Sequence, residues 1–117
     1  MNQVNQAAKL REEFHPALEQ LMSLANKLVD TIGRMDHGEM EAFIFKDGNE
    51  VLRLLLQGCL DLCSKQEERK DSVTGADGVV RTHCRCGCER SLMSFFGEVT
   101  ICRKGYGAPG VESVFPL

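Results

Sequence analysis

The 117-residue sequence predicts an α+β fold, with two long antiparallel helices and a short N-terminal helix followed by a β-hairpin or a three-stranded antiparallel meander. Before position 71, apolar residues recur at spacings of three and four, as on one face of a helix. After it, glycine and proline become frequent and large side chains alternate, as in strands and turns. We therefore expect a helical region, residues 1–71, and a hairpin region, residues 72–117, with an incomplete C-terminal end.

The first long helix is predicted from Pro16 to Ile32, because proline suits the first helical position, where its missing N–H is not needed. A shorter helix that carries Leu10 and Phe14 is expected before it. His15 is expected at a non-helical joint, since a residue that precedes proline is pushed out of the helical region. The apolar stripe of the long helix consists of Leu18, Leu21, Met22, Ala25, Leu28, Val29 and Ile32.

The second long helix is predicted from Glu39 to about Lys70, after a turn marked by glycine at position 33 and the Asp-His-Gly cluster at 36–38. Gly48 is a candidate break or kink in it. Cys59 and Cys63, one helical turn apart, are expected to be small core residues rather than metal ligands. The apolar stripe consists of Met40, Phe43, Ile44, Val51, Leu54, Leu55, Cys59 and Leu62.

The strongest local pattern in the second region is a hairpin around Gly97-Glu98, a pair that suits a type II′ turn with glycine at the positive-φ position. In this register Phe96 pairs with Val99, and Phe95 pairs with Thr100. Both faces of such a hairpin are apolar, so it needs cover on both sides. One face carries Leu92, Phe96, Val99 and Ile101, and the other carries Met93, Phe95, Cys102 and Tyr106.

Composition excludes several classes of protein. The formal charge of -3 argues against a basic nucleic-acid coat protein, and no apolar stretch approaches the roughly 20 residues that a bilayer span requires. No secretion signal is visible at the N-terminus. We therefore expect a cytoplasmic location, no membrane partner and reduced cysteines rather than a disulfide framework.

No catalytic residue can be assigned from the sequence. The histidines at positions 15 and 37 have no nucleophile at a readable spacing, and the loop 105–110 lacks the Lys-Ser/Thr of a phosphate-binding Walker loop. Asp30, Asp36, Asp47 and Asp61 are expected on solvent faces or at helix caps. We therefore expect that this chain is not an enzyme by itself.

The cluster His83, Cys84, Cys86 and Cys88 is the candidate metal site. Zinc sites usually take their thiolates from C-x2-C or C-x4-C turns, whereas this segment reads C-x-C-x-C. On a strand, alternate residues stand about 6.6–6.8 Å apart, which is too far for easy chelation. Small half-buried thiols in a strand and its turn are the alternative interpretation, and a turn at Gly87 would relax the geometry.

Residues 79–106 carry a net charge of +3 on the predicted ribbon. Basic side chains on a ribbon can contact phosphates without reading sequence, and a two-stranded ribbon fits the DNA major groove. Edge strands also carry charges to prevent aggregation, and this protection is the alternative interpretation of the basic residues. The candidate DNA-contacting residues are Arg81, Arg85, Arg90, Arg103 and Lys104.

The hairpin region carries a further motif, which runs from Arg90 through Phe96-Gly97-x-Val99 to the final Pro116-Leu117. This motif resembles the ISKra family of bacterial insertion-sequence transposases, and the resemblance extends over about the last 40 residues and more loosely over the preceding helix. The family pattern reads approximately Arg-x-Leu-x-Thr-x-Phe-Gly-x-Val-x-x-x-Arg-x-x-Tyr, followed by a glycine-containing loop and Pro-Leu. Ser94 stands where the family usually has threonine. The matching positions are Arg90, Leu92, Phe96, Gly97, Val99, Arg103, Tyr106, Gly110, Pro116 and Leu117.

The resemblance implies an N-terminal accessory region of a DDE-type transposase, truncated before the catalytic domain that follows the Pro-Leu in such proteins. In the family, that domain uses three carboxylates and divalent metal ions such as Mg²⁺, so no cofactor is expected for this part. The implied partner is DNA at transposon ends. The apolar stretch from Val111 to Leu117 also leads us to expect an N-terminal fragment, since domain ends are more often polar.

Two alternatives from other classes remain open. One is a small cytosolic metal-binding or thiol-regulated protein that uses His83, Cys84, Cys86 and Cys88. The other is a helical oligomerisation segment whose apolar stripe pairs between chains to form a homo-oligomer.

Overall fold

The computed structural model describes residues 10–117 and confirms the α+β class. A 3-10 turn at Glu12–Phe14 is followed by helices α1 and α2, then by two two-stranded sheets, β1 with β2 and β3 with β4. Of the two predicted strand arrangements, the structure therefore has the hairpin and not the three-stranded meander. The elements are α1 (His15–Thr31), α2 (His37–Gln66), β1 (Val73–Thr74), β2 (Val80–Arg81), β3 (His83–Ser94) and β4 (Gly97–Gly107).

The chain divides into two compact units. Of the described residues, the first unit contains 10–59 with Met93–Val99, and the second contains Leu60–Leu92 with Thr100–Leu117. In sequence, the change from helices to strands falls between Gln66 and Val73, close to the predicted boundary at position 71. Each unit nevertheless takes part of α2 and part of the β3–β4 hairpin, because both elements are long.

The joint at the start of α1 differs from the prediction. His15 has φ -57 and ψ -42, so it is helical and is the first residue of α1, although it precedes proline. The clash with the proline ring disfavours this conformation without forbidding it. The 3-10 turn leads directly into α1, and any part of the predicted short helix before Leu10 lies outside the described residues.

A capping box starts α2 at His37, two residues before the predicted start. The Asp36 carboxylate accepts a hydrogen bond from the N–H of Glu39 at 2.8 Å, and the Glu39 carboxylate accepts one from the N–H of Asp36 at 3.0 Å. Asp36 is thus a cap, as expected, and not part of the turn. The helix runs through Gly48 without a break and ends at Gln66, where the charged linker begins.

Within the first unit α1 and α2 are antiparallel. Near the start of α1, a Cβ added to Gly58 would lie 2.6 Å from the carbonyl oxygen of Glu13, so this end of α1 meets the later part of α2. Near the end of α1, the ammonium of Lys27 lies 3.8 Å from the carboxylate of Asp47. Leu24 is buried between these two points, as is Ala17.

Much of the predicted apolar stripe is exposed in the described structure. Ile44 and Leu55 on α2 are exposed, and Val29 and Ile32 at the end of α1 are mostly exposed. Leu18 and Leu21 are also classed as exposed, although their neighbours Ala17 and Leu24 are buried. The two helices thus bury only a narrow strip of side chains against each other.

The turn of the β3–β4 hairpin consists of Phe95 and Phe96, not of Gly97-Glu98 as predicted. Gly97 does have a positive φ of 122°, but as the first residue of β4. The Ser94 hydroxyl donates to the carbonyl of Gly97 at 2.7 Å and accepts from the N–H of Phe96 at 3.1 Å. This local network competes with the type II′ turn that the glycine favours.

Side chains of α2 also hold the turn in place within the first unit. The amide of Asn49 donates to the carbonyl of Phe96 at 2.9 Å, and Arg53 donates to the carbonyl of Glu98 at 3.2 Å. Arg53 is itself oriented by Glu50, whose pKa is lowered mainly by the hydrogen bonds from that guanidinium. Val99 is buried, whereas Phe95 is fully exposed.

Tyr106 anchors the second unit and is completely buried. Its hydroxyl accepts a hydrogen bond from the N–H of Lys70 at 2.7 Å. Its backbone exchanges two 2.8 Å hydrogen bonds with Val114, so the segment after β4 folds back on the strand. Ser64 adds a hydrogen bond from α2 to the carbonyl of Cys102.

Replacing Asp36 with alanine is expected to lower the free energy of unfolding by about 1 kcal/mol, because an N–H at the start of α2 loses its cap. Asp36→Asn should retain most of the stability, since asparagine caps equally well. Chemical denaturation followed by circular dichroism measures both variants. Asp30→Ala on the exposed side of α1 is the control, and an equal loss in that variant would contradict the role given to the cap.

Candidate nucleic-acid interface

Arg81 is buried, so the prediction that it contacts DNA is wrong. It is 3% exposed, and its guanidinium forms two hydrogen bonds with the Asp77 carboxylate, at 2.9 and 2.7 Å. It also donates to the carbonyl oxygens of Glu112 at 2.8 Å and Val79 at 2.9 Å. A phosphate cannot reach Arg81 while these bonds persist, so we assign it a structural role.

The short β1–β2 sheet explains why Arg81 and Asp77 meet. Val73 pairs with Arg81 and Thr74 pairs with Val80, and the Gly-Ala-Asp-Gly segment at 75–78 forms the turn that connects the strands. The Arg81 guanidinium holds the pKa of the Asp77 carboxyl well below its ordinary value, first through the hydrogen bonds between them. The same contact raises the pKa of Arg81.

Lys104 and Arg103 are partly committed to contacts within the second unit. The ammonium of Lys104 donates to the carbonyl of Glu67 at 2.8 Å, and its backbone N–H donates to the Glu67 carboxylate at 2.7 Å. The Arg103 guanidinium lies 4.1 Å from the centre of the Phe115 ring, a cation–π contact. Both side chains are half-buried, and Arg103 keeps its N–H groups available at the ring edge.

Arg85 and Arg90 are the two predicted residues that the structure leaves exposed on the ribbon. Both lie on β3, which is 12 residues long. The side chain of Arg90 forms no hydrogen bond or ion pair with any residue in the range 10–117. Arg85 forms one, donating to the Ser113 hydroxyl at 3.1 Å.

Sequence analysis missed Ser113. The residue follows the Pro-Gly pair at 109–110, and that pair does predict a turn. A turn by itself does not say what the chain meets when it returns. In the structure, the backbone bridge between Tyr106 and Val114 brings Ser113 beside Arg85.

The four residues of the candidate metal site lie on one continuous strand. His83 and Cys86 are exposed, and Cys84 and Cys88 are half-buried. Gly87 has φ 74 but lies inside β3, so it does not form the turn that would bring the thiols together. Across residues 10–117, no three His, Cys, Asp or Glu side chains are grouped so that they could hold a metal ion.

Cys59 and Cys63 are exposed on α2, so the prediction that they fill the core is wrong. The residue buried in this part of the helix is Gly58, which packs against the backbone of Glu13 and the ring of Phe14. Because Gly58 faces the 3-10 turn at Glu12–Phe14, Cys59 and Cys63 lie on other faces of α2. All six cysteines are free thiols.

The ten residues of the transposase-like motif differ in burial: two are buried, four are half-buried and four are exposed. Val99 and Tyr106 are buried, and Phe96 and Gly97 belong to the turn and its exit. Pro116 and Leu117 line a cavity of about 360 Å³ beside Tyr106.

No protein-family model matches the chain, and it has no match among curated proteins or solved structures. Within the described residues, neither helix is long and apolar enough to cross a membrane.

The Asp77→Asn variant is expected to unfold several degrees below the wild type at pH 7, because a buried guanidinium loses its charged partner. Asp77 has a lowered pKa in the folded state, so its contribution is complete above its ordinary value of 3.8. The contribution is lost as the pH falls below that value, since only the unfolded chain then takes up the proton readily. The two melting curves should therefore converge in acid.

Thermal unfolding followed by circular dichroism between pH 3 and 7 measures this difference. Glu89→Gln removes a carboxylate that is exposed on β3 and serves as the matched control. A constant difference between wild type and Asp77→Asn across the range would contradict the assigned ion pair.

Proposed function

We propose that this chain is the N-terminal accessory region of an ISKra-type transposase and that its β3–β4 ribbon contacts the phosphate backbone of DNA. The proposed activity is binding, and strand transfer belongs to the catalytic domain of that family. The resemblance of the segment from Arg90 to Leu117 supports the family, and the exposed bases of β3 support the contact.

The dimensions of the ribbon support this proposal. β3 and β4 have 12 and 11 residues, so the ribbon extends well beyond the hydrogen bonds that hold its turn. A two-stranded ribbon of this kind fits the major groove of B-form DNA. The contact is expected to be independent of sequence, because basic side chains that reach phosphates read no base edges.

The observation that carries the proposal is the exposure of Arg85 and Arg90 on one strand. Five residues of strand span about 16 Å, which corresponds to roughly five nucleotides along one DNA strand. In a regular strand, side chains five positions apart point to opposite faces. Gly87 lies between them with a φ of 74° and interrupts this alternation, so the proposal places both guanidiniums on phosphates of one duplex. Arg103 is a secondary candidate, since its ring contact with Phe115 leaves N–H groups available.

Replacing Arg85 and Arg90 together with glutamine is expected to weaken duplex binding most at low salt. The slope of log K against log salt concentration should fall by about 1.8 when two phosphate contacts are lost. Gel shift or fluorescence anisotropy with duplexes of two unrelated sequences measures the slope, and both sequences should behave alike.

The matched control is Lys46→Gln, which removes an exposed base from α2 instead of the ribbon. It should leave the slope close to that of the wild type. If the wild-type chain retains no duplex at low salt, where phosphate contacts are strongest, the proposal is overturned.

Self-association through the helices is a second candidate function, because large apolar side chains remain exposed on α1 and α2. Leu21 and Phe45 lie at a hollow of about 350 Å³, and Leu18 and Leu55 lie at another of about 340 Å³. Both hollows are lined almost wholly by apolar atoms. A second copy of the same helix pair offers the same kind of surface, as an isologous dimer requires.

Phe45→Glu is expected to convert a self-associating chain into a monomer, because it places a charge on this apolar surface. Sedimentation velocity over a range of concentrations measures the change. Val29→Glu alters an exposed apolar residue that lines neither hollow and serves as the control. A wild type that sediments as a monomer at every concentration would remove this candidate.

A further inference from the structure

A cavity of about 580 Å³ lies within the second unit, between the start of β3 and the loop 107–113. His83 and Arg85 line it from the strand, and Ser113 lines it from the end of the loop. A cavity of this size accommodates a nucleotide-sized ligand. The loop has no part in the proposed ribbon contact, whereas Arg85 belongs to both, so the cavity adds the loop residues to one end of that contact.

The loop 107–113 has a defined conformation. Two hydrogen bonds of 2.8 Å between Tyr106 and Val114 close its base. At its tip, the N–H of Val111 donates to the carbonyl of Ala108 at 3.4 Å, and Gly110 has φ 78. Proline followed by glycine at the two central positions is typical of a type II turn. The position of Ser113 is thus set by backbone bonds on both sides of the loop.

Hydrogen-bond donors converge on the cavity. Arg85 donates one N–H to the Ser113 hydroxyl at 3.1 Å, and a guanidinium carries five N–H donors and no acceptor. Because the hydroxyl oxygen accepts this bond, its own hydrogen is available to a further acceptor. His83 also lines the cavity, and an imidazole ring carries at least one N–H donor. A ligand that fits these groups must present several acceptors.

The charge of the cavity wall favours an anion. No carboxylate side chain lines it, and Arg85 gives it a positive charge. The cavity beside Tyr106 differs in this respect, because Glu67 and Glu68 line it together with Lys70. Planar guanidinium groups bind phosphate oxygens through paired hydrogen bonds, and a nearby hydroxyl adds a third.

We propose that this cavity binds one phosphate group, with Arg85 and Ser113 as direct donors and His83 as a third. The inference rests on the proposed DNA contact for the source of that phosphate, the nucleic-acid backbone. Free phosphate presents the same oxygens, so the experiment below separates the two sources. The site differs from a diffuse electrostatic contact because it requires a neutral hydroxyl.

Ser113→Ala is the decisive variant, because it leaves the net charge unchanged. Fluorescence anisotropy of a labelled duplex should show roughly five- to tenfold weaker binding by this variant, since a hydrogen bond to a charged group is lost. Arg85→Gln should weaken binding about tenfold or more. Ser91→Ala, an exposed serine on β3 outside the cavity, is the matched control and should bind as the wild type does.

A second measurement uses inorganic phosphate with the full chain. Saturable changes in the NMR signals of the Ser113 amide and the His83 ring are expected in the wild type. The same changes should be lost in Ser113→Ala. Melting curves that match the wild type show that each variant is folded.

The two measurements separate the two proposals. Phosphate that saturates the cavity in a chain that binds no duplex would support the phosphate site with free phosphate as its source, and would overturn the proposed DNA contact. A duplex bound equally by the wild type and Ser113→Ala, with no phosphate-induced shift, would overturn the phosphate site and leave the DNA contact standing. Weakened duplex binding together with saturable shifts supports both.

Discussion

The second unit depends on the complete burial of Tyr106. Its ring is enclosed, its hydroxyl binds the N–H of Lys70 where the chain leaves α2, and its backbone pairs with Val114. One residue therefore joins the linker, strand β4 and the C-terminal segment. Since the pairing with Val114 also closes the loop 107–113, the contact between Arg85 and Ser113 depends on the same residue.

Basic residues in the hairpin region perform two different physical tasks. Arg81 is surrounded by carbonyl and carboxylate oxygens, so its charge stabilises the fold and its side chain is shielded from solvent. Lys104 likewise donates two hydrogen bonds to Glu67, one from its ammonium and one from its backbone N–H. Arg85 and Arg90 remain at the surface. An anionic partner therefore interacts mainly with these two side chains and less with the other three basic residues. The formal charge of a segment thus overstates what a ligand experiences.

The sequence predicts the helices well, because their periodicity is local. It places α1 within one residue at each end and detects the β3–β4 hairpin, whereas it leaves Asp36 among the residues of a turn, a solvent face or a cap. It misplaces the hairpin turn by two residues, since Ser94, Asn49 and Arg53 fix carbonyl groups that a local propensity does not consider. Long-range hydrogen bonds outweighed the preference of glycine for a central turn position.

The candidate site was harder to predict for the same reason. Charge alone singled out Arg81 and Arg85 equally, although one meets Asp77 and the other does not. The difference comes from the turn between β1 and β2. This turn brings the carboxylate of Asp77 to the guanidinium of Arg81, four residues later in the chain. The position of Ser113 beside Arg85 follows from the backbone pairing of Tyr106 with Val114, and that pairing has no signature in the sequence.

The tip of the β3–β4 hairpin presents a thioether and a phenyl ring to water. Met93 is 80% exposed and Phe95 is exposed over its whole surface, so neither contributes burial energy to its own chain. Serine or threonine at these two positions would preserve the fold while improving solubility, since apolar groups at a sheet end invite adhesion between molecules. The tip is therefore the natural place for substitutions that make the protein easier to concentrate and crystallise.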